Sequence, residues 1–373
     1  MKKKYIYIFV LSIIFLLGFI VFIVVSKTSH LNVKKSEKIA LTNISQDQKY
    51  REIKSVYNKS SVFIPFWALP QSKDDVSSYD KLMYFGISVS EDGVEKNESG
   101  YIQLNTFQTV TKGYLGKKSL VMRMLDNEKN IKILNDEKIQ NKIILEINNL
   151  VKENGFTELA LDLELSGFFS EDIASKINVF VQKIYTLENR YYRHFSVIIY
   201  GDVFYRNRPF DIKSIGKYCD EIMVMAYDFS KPYGEPGPNF PFDRRSLGEG
   251  GSFDFSYDFK QMMEDYLSKV SLEKLSVIFG MYGYDWTLNN QGTPLKRAEA
   301  VTVDQVNKIL NSKIQNPNKS QISNSKEKRI EYVDEENQRH VIWYEDEESV
   351  RVKTDYLKEK GIGSIGYWAY GYF

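Results

Sequence analysis

Two carboxylates stand two residues apart in the run Glu158-Leu159-Ala160-Leu161-Asp162-Leu163-Glu164-Leu165. Apolar and other residues alternate strictly, which is the period of a β-strand with unlike faces. Leu159, Leu161, Leu163 and Leu165 share one face. Ala160, Asp162 and Glu164 share the other. The Cβ atoms of Asp162 and Glu164 are then about 7 Å apart. At that range, repulsion and burial raise one pKa of the pair. A carboxylic acid kept protonated near neutrality can serve as a general acid. The alternative is a pair that forms salt bridges in the interior.

Three other stretches bring aromatic and acidic groups to strand ends. In Glu221-Ile222-Met223-Val224-Met225-Ala226-Tyr227-Asp228, Met223, Met225 and Tyr227 share a face, and Asp228 closes the run. Tyr227 can carry a hydroxyl to the centre of a site, and Met225 and Asp228 are candidate substrate contacts beside it. The alternative is a core tyrosine beside a loop aspartate. Gly280-Met281-Tyr282-Gly283-Tyr284-Asp285-Trp286 and Gly366-Tyr367-Trp368-Ala369-Tyr370-Gly371 follow, and Trp67 ends the earliest apolar run. Trp67, Tyr282, Trp286 and Trp368 could each stack on the flat face of a ligand such as a sugar, or simply pack.

These residues need elements to hold them. Short apolar runs recur at Val62–Trp67, Lys81–Ser88, Ser119–Leu125, Glu158–Leu165, Phe195–Tyr200, Glu221–Tyr227, Leu275–Met281 and Ser364–Tyr367. Amphipathic segments separate several of them. Asp136–Asn154 places Ile139, Ile143, Ile144, Ile147 and Leu150 on one helical face and stops at Asn154-Gly155. Glu171–Leu187 and Tyr257–Lys269 read alike. Such alternation predicts an α/β fold, a (β/α)₈ TIM barrel. Parallel barrel strands are normally apolar on both faces. Inward carboxylates near the C-terminal end of the fourth strand therefore lie where the active sites of these barrels sit. The span from about 289 to 340 breaks the rhythm. Its middle is polar and loop-like, and its end reads as a hairpin around Glu335–Gln338. It is expected to be a small insertion between the seventh and eighth strands.

The N-terminus reads differently. Residues 1–4 are Met-Lys-Lys-Lys, and no charged residue occurs from Tyr5 to Ser26. Tyr5–Val25 has the roughly 20 apolar residues a bilayer-spanning helix needs. A cleaved leader has a shorter apolar run and a small-residue cleavage site, and Val-Val-Ser-Lys-Thr-Ser matches poorly. Residues 1–4 are read as a cytoplasmic tail, 5–26 as a transmembrane signal-anchor, 27–58 as a solvated linker and 59–373 as the barrel. The lysines predict that the barrel lies outside the cytoplasm.

Composition narrows the partners. Fifty basic against 49 acidic residues give a net charge of +1, and setting aside Lys2–Lys4 leaves −2. A phosphate-tracking surface needs a basic surplus, so nucleic acid is not expected. The one cysteine, Cys219, excludes an intrachain disulfide. It reads as a small buried hydrophobe. A three-histidine zinc site would need His30, His194 and His340 together. No Gly-x-Gly-x-x-Gly follows the first strand, and no phosphate-binding loop or Gly-x-Ser-x-Gly occurs. No metal or organic cofactor is expected. A monomer is expected.

In this order and spacing the motifs resemble glycoside hydrolase family 18, the chitinase-like barrels. Leu161-Asp162-Leu163-Glu164 occupies the place of the family's D-x-x-D-x-D-x-E. Met225-Ala226-Tyr227-Asp228 matches its M-x-Y-D, and Gly280–Trp286 and Gly366–Gly371 resemble its last two strand motifs. His340-Val341-Ile342-Trp343-Tyr344-Glu345-Asp346-Glu347-Glu348-Ser349 resembles the segment before the final strand. The Tyr-Gly-Tyr-Asp-Trp form looks most like the bacterial spore-cortex and cell-wall branch. The resemblance covers roughly Ser61 to Phe373.

The resemblance implies retaining, substrate-assisted hydrolysis of a β-linked N-acetylglucosamine polymer, either peptidoglycan or chitin-like. By that likeness Glu164 protonates the leaving oxygen, and Asp162 holds the acetamide N–H. Tyr227 bonds the acetamide oxygen, Asp228 orients the site, and Trp368 floors the acetyl pocket. Two departures stand out. Thr157 and Ala160 replace the first and middle aspartates. Val-Met-Arg-Met-Leu-Asp-Asn (121–127) replaces the third-strand S-x-G-G, leaving Arg123 or Asp126 to compensate. A catalytically weak or inactive, lectin-like glycan-binding barrel is the alternative these departures favour.

Overall fold

Eight parallel strands close on themselves. In chain order they are Ser60–Pro65, Lys81–Ser90, Lys117–Met124, Glu158–Leu163, His194–Tyr200, Glu221–Ala226, Leu275–Gly280 and Ser364–Trp368. Each pairs with the next, and the first pairs with both the second and the eighth. All eight expected strands are present. The computed structural model describes residues 60–167, 169–244, 254–311, 315–321 and 324–373. The anticipated tail, membrane span and linker lie outside these residues. No helix among those described is long and apolar enough to cross a membrane.

The fourth strand shows why the barrel forms here. Leu159, Leu161 and Leu163 are buried on its outer face. The helix Glu137–Glu153, capped at its start by the Asp136 carboxylate, precedes that strand and buries Ile143, Ile144, Ile147, Leu150 and Val151. Each such side chain contributes about 1.5–3 kcal/mol on burial.

The inner face is layered. At the N-terminal end, Glu158 is paired with Lys81 at 2.7 Å and Lys117 at 2.8 Å, and Lys81 also reaches Glu221 at 3.1 Å. Above this lies an apolar layer containing Phe63, Met83, Val121, Ala160, Ile198, Met223 and Ile278. Ala160 is fully buried there. Asp162 and Glu164 come next along the fourth strand, toward the C-terminal mouth.

The insertion is larger than 289–340. An antiparallel sheet starts with Tyr282–Leu288, immediately after the seventh strand, and ends with Arg339–Tyr344. Its spatial order is Glu299–Thr302, Tyr282–Leu288, Arg339–Tyr344, Lys328–Val333, Gln315–Gln321. The Tyr-Gly-Tyr-Asp-Trp run thus belongs to this sheet rather than to the barrel wall. Part of the polar middle, expected to be loop, is the strand Gln315–Gln321, paired with Lys328–Val333. Backbone pairing needs no apolar alternation, so periodicity did not reveal it. The hairpin turn at Asp334–Gln338 forms as expected.

A buried ionic cluster ties sheet to barrel. Lys353 bonds Glu327 at 2.9 Å and Glu345 at 2.7 Å, with all three side chains excluded from solvent. Glu327 also accepts the backbone N–H groups of Asn239 and Phe240, at 2.5 and 2.8 Å. Asp346 and Ser349 form the capping box of the helix Glu347–Glu359. The segment from His340 to Ser349 is therefore architectural.

Candidate active site

Three carboxylates share the inward face of the fourth strand, and only the lowest is neutralised by lysines. Glu158 has its two lysines, and their charges hold its carboxyl below the usual range against the opposing effect of burial. Asp162 is 3% exposed, and its Oδ1 is buried without a hydrogen-bond partner. Burial, with the Glu164 charge adding to it, pushes the Asp162 pKa well up. The salt-bridged alternative describes Glu158, not Asp162.

Glu164 lies just past the strand end. Its N–H donates to the Met124 carbonyl at 2.8 Å, which extends the ladder by one residue. The buried Asn130 amide donates to the carbonyls of both Met124 and Glu164, at 2.8 and 2.9 Å. The Glu164 backbone is thereby fixed. Its Oε2 accepts a 3.0 Å hydrogen bond from the Tyr200 hydroxyl. Burial raises the Glu164 pKa, and the Asp228 charge adds to this. The Tyr200 hydrogen bond, Lys231 and Arg208 pull the other way. Burial of both groups, and the Glu164 charge on Asp162, thus favour a shared proton over two charges.

Arg123 stands opposite Asp162 in the register of the third and fourth strands. Its guanidinium lies over the Phe85 ring at 4.5 Å. Its charge opposes the rise in the Asp162 pKa. Asp126, the other candidate for compensation, instead caps the helix Asn127–Asn135 by accepting the Lys129 N–H.

Tyr227 and Trp368 complete the mouth. Their rings are near-parallel at 6.5 Å, and Trp368 packs edge-on against Phe85 at 4.6 Å. Trp67 is half exposed and meets Trp368 at 6.4 Å. Met225 is buried in the core beneath Tyr227, so it supports the floor. The Tyr227 pKa is driven up by burial and by the Asp162, Glu164 and Asp228 charges, which keeps the phenol a proton donor.

Asp228 sits in left-handed backbone, φ 57°, a region aspartate tolerates better than most residues. Its N–H donates to Asn239 Oδ1 at 2.8 Å, and its Oδ1 accepts the hydroxyls of Tyr282 and Tyr284. Asn239 in turn donates to the Gly280 and Tyr282 carbonyls. A Cβ at position 280 would lie 2.7 Å from the Tyr227 Cβ, so glycine is required there. Tyr282 thus holds Asp228, and its ring meets Tyr227 at 6.2 Å.

Trp286 is a correction. It is fully buried in the inserted sheet with Leu288, Ala298, Val341 and Trp343, and its Nε1 donates to the Gly234 carbonyl. It shares a strand face with Tyr282 and Tyr284, but its neighbours cover the ring completely, so it cannot stack on a ligand. Cys219 is buried, and its thiol is pushed up to about 12 by burial. Tyr200, Asn130 and Asn239 were missed. Tyr200 had a signal, since Ser196, Ile198 and Tyr200 alternate inward on the fifth strand. The two asparagines had none.

The profile of the glycosyl hydrolases family 18 matches residues 123–372. The chain belongs to that family. As a family 18 protein it is 26% identical to the cortical fragment-lytic enzyme of Bacillus anthracis over 248 residues, 64% of this chain and 52% of that one. It is 25% identical to that of Bacillus cereus over 307 residues, 78% and 64% of the two chains. It spans about half the length of the Bacillus anthracis and Bacillus subtilis enzymes. Among solved structures, the Bacillus cereus spore cortex-lytic enzyme SleL superposes with a TM-score of 0.66 at 20% identity, covering 84% of this chain and 71% of that one. The Ostrinia furnacalis Group IV chitinase gives 0.68 at 16% identity, covering 83% and 92%. These two likenesses establish the barrel fold.

Proposed function

We propose that this protein is a membrane-anchored glycosidase that hydrolyses β-1,4-linked N-acetylglucosamine polymers, with bacterial wall glycan the favoured substrate. The observation that carries the reading is the unneutralised Asp162–Glu164 pair at the mouth. The names of the cortical fragment-lytic relatives favour wall glycan over chitin. The apolar run at 5–26 supports an anchor, with the barrel outside the cytoplasm.

The chemistry follows from the groups present. A sugar ring lies on Trp368 with its acetamide turned toward Asp162 and Tyr227. The acetamide N–H gives Asp162 Oδ1 the hydrogen bond it lacks, which favours the Asp162 anion. The proton held by the pair then resides on Glu164. Glu164 passes it to the glycosidic oxygen as the C1–O bond breaks, and the acetamide oxygen bonds to C1. The Asp162 charge stabilises the resulting oxazolinium, and the Tyr227 hydroxyl donates to the acetamide oxygen. Glu164, now a carboxylate stabilised by Tyr200, takes a proton from the water that opens the ring. The product keeps the β configuration.

The test incubates the full chain and its Glu164→Gln variant with N-acetylglucosamine oligomers and purified peptidoglycan, reading products by mass spectrometry. Cleavage by the wild type alone is expected. Sugar binding without cleavage by either would favour the glycan-binding alternative that Ala160 suggests.

A further inference from the structure

The turns that lead into the barrel strands form the face opposite the catalytic mouth, and many are tied to one another. The Tyr114 hydroxyl donates to the Tyr79 carbonyl at 2.6 Å, joining the turns before the second and third strands. Backbone bonds from Thr157 to Lys118 and from Arg193 to Thr157 carry the chain of contacts to the fifth strand. Lys274 donates to the Cys219 carbonyl at 2.8 Å, joining the turns before the sixth and seventh.

Charge is divided between the two ends of the barrel. Among the described residues, the turns 77–80, 111–116, 154–157, 186–193, 216–220, 268–274 and 360–363 hold seven Lys or Arg against four Asp or Glu. The mouth-side loops 66–72, 91–98, 125–126, 164–172, 201–211 and 227–258 hold five against fifteen. The near-neutral composition therefore conceals a basic base and an acidic mouth. Lys112, Arg193, Lys217, Lys269 and Lys360 are exposed on the base.

Three large apolar side chains stand open on this basic face, each between two cations in sequence. Leu115, fully exposed, lies between Lys112 and Lys117. Tyr191 lies between Arg190 and Arg193, and the Lys152 ammonium sits over its ring at 4.4 Å. Leu272 lies between Lys269 and Lys274, and both it and Tyr191 are 44% exposed. They precede the third, fifth and seventh strands. Ser60, where the chain from the apolar run enters, begins the first. In an eight-stranded barrel these four strands are a quarter-turn apart. Thirty-three residues separate residue 26 from Ser60, and a solvated linker of that length spans about 30 Å on average, which keeps the base within reach of a bilayer. Apolar tips beside cations suit a lipid interface: the tip enters the acyl boundary while the cation stays among the phosphates.

We propose that this N-terminal face of the barrel docks on an anionic lipid bilayer, so that Leu115, Tyr191 and Leu272 hold the catalytic mouth away from the membrane. The nearness of the bilayer rests on the reading of residues 5–26 as an anchor.

The test uses the full chain in phospholipid vesicles, with a polarity-sensitive dye on Leu115→Cys. The native cysteine, Cys219, is buried. One set of vesicles is phosphatidylcholine alone, and the other contains phosphatidylglycerol as well. Both carry a trace of spin-labelled quencher lipid. The dye should be quenched in the phosphatidylglycerol vesicles, and high salt should release it. Charge reversal by Lys112→Glu with Lys269→Glu should lower the docking constant by about tenfold or more. A dye on Tyr233→Cys, an exposed residue of the mouth-side loop after the sixth strand, should stay unquenched. A Leu115→Cys dye that is unquenched, equally quenched in neutral vesicles, or still quenched after charge reversal would overturn the proposal. Binding to soluble polyphosphate without quenching by the vesicles would also overturn it, assigning the face to an anionic polymer. Failure of the anchor appears separately, as unlabelled protein that does not float with neutral vesicles. Salt-sensitive flotation with the phosphatidylglycerol vesicles should then persist.

Discussion

Tyr200 donates a hydrogen bond of 3.0 Å to Glu164 Oε2, from the end of the fifth strand to the end of the fourth. A donor at that oxygen favours the carboxylate over the acid. It helps most after the proton has left, when the anion has formed beside the departing sugar. Tyr200→Phe should therefore lower kcat by about tenfold, the scale of one hydrogen bond to a charged group. The Glu164 pKa should rise, because the group lost was lowering it. The alkaline limb of the kcat/KM profile should move to higher pH. A pH–rate series on both proteins checks this, and an unmoved limb would show the contact to be incidental.

Arg123 tests the other half of the pair. Its charge pulls the Asp162 pKa down against burial and Glu164. Arg123→Gln removes that pull, so the Asp162 pKa should rise further. Turnover needs the Asp162 anion, so the acid limb should shift to higher pH. At pH 6, kcat should fall, and the deficit should shrink as pH rises past the limb. A shift in KM alone, with the limb in place, would mean that Arg123 only shapes the floor.

Lys353 concerns stability. It is the only cation bonded to Glu327 and Glu345 within a solvent-free cluster of described residues. Lys353→Met leaves two buried carboxyls uncompensated and should cost about 3–5 kcal/mol. Thermal unfolding reads this directly. Because Glu327 also holds the Asn239 backbone, and Asn239 holds Asp228, activity should fall even well below the melting temperature. The double variant Lys353→Met, Glu327→Gln should recover part of the stability.

His340 predicts a pH dependence of stability in the inserted sheet. Burial lowers its pKa, but Asp285 at 2.9 Å and Asp334 at 3.4 Å outweigh this and raise it. A histidine whose folded pKa is raised stabilises fully below its unfolded pKa of about 6.5, and that contribution is lost as pH rises through the folded value. Melting temperature should therefore fall from pH 6 toward pH 8. The fall should be smaller in His340→Gln.

The barrel was legible because each strand carried its own signal. Alternating leucines on the fourth strand announced both its type and which face held the carboxylates. The pair Tyr227–Asp228 was legible for the same reason. Trp286 misled because it lies in a run that continues directly from the seventh strand. Whether that run stays in the barrel wall or starts a new sheet depends on its partners, Glu299–Thr302 and Arg339–Tyr344, which are remote in sequence. Asn130 and Asn239 act through their amides on backbone carbonyls, and a lone asparagine in a helix or loop carries no mark of such a contact. The layer at Ala160 was visible as a departure. That Glu158, one turn of the pleat below, would be neutralised by Lys81 and Lys117 was not, since those lysines come from the second and third strands.

The central claim is that Asp162 and Glu164 act through the substrate's own acetamide. The most direct measurement is the anomeric configuration of the first product, followed by proton NMR as the full chain cleaves an N-acetylglucosamine hexamer. The account predicts β product at the earliest times, decaying to the α/β equilibrium by mutarotation. Initial α product would contradict it, because inversion requires a water attacking directly in place of the acetamide.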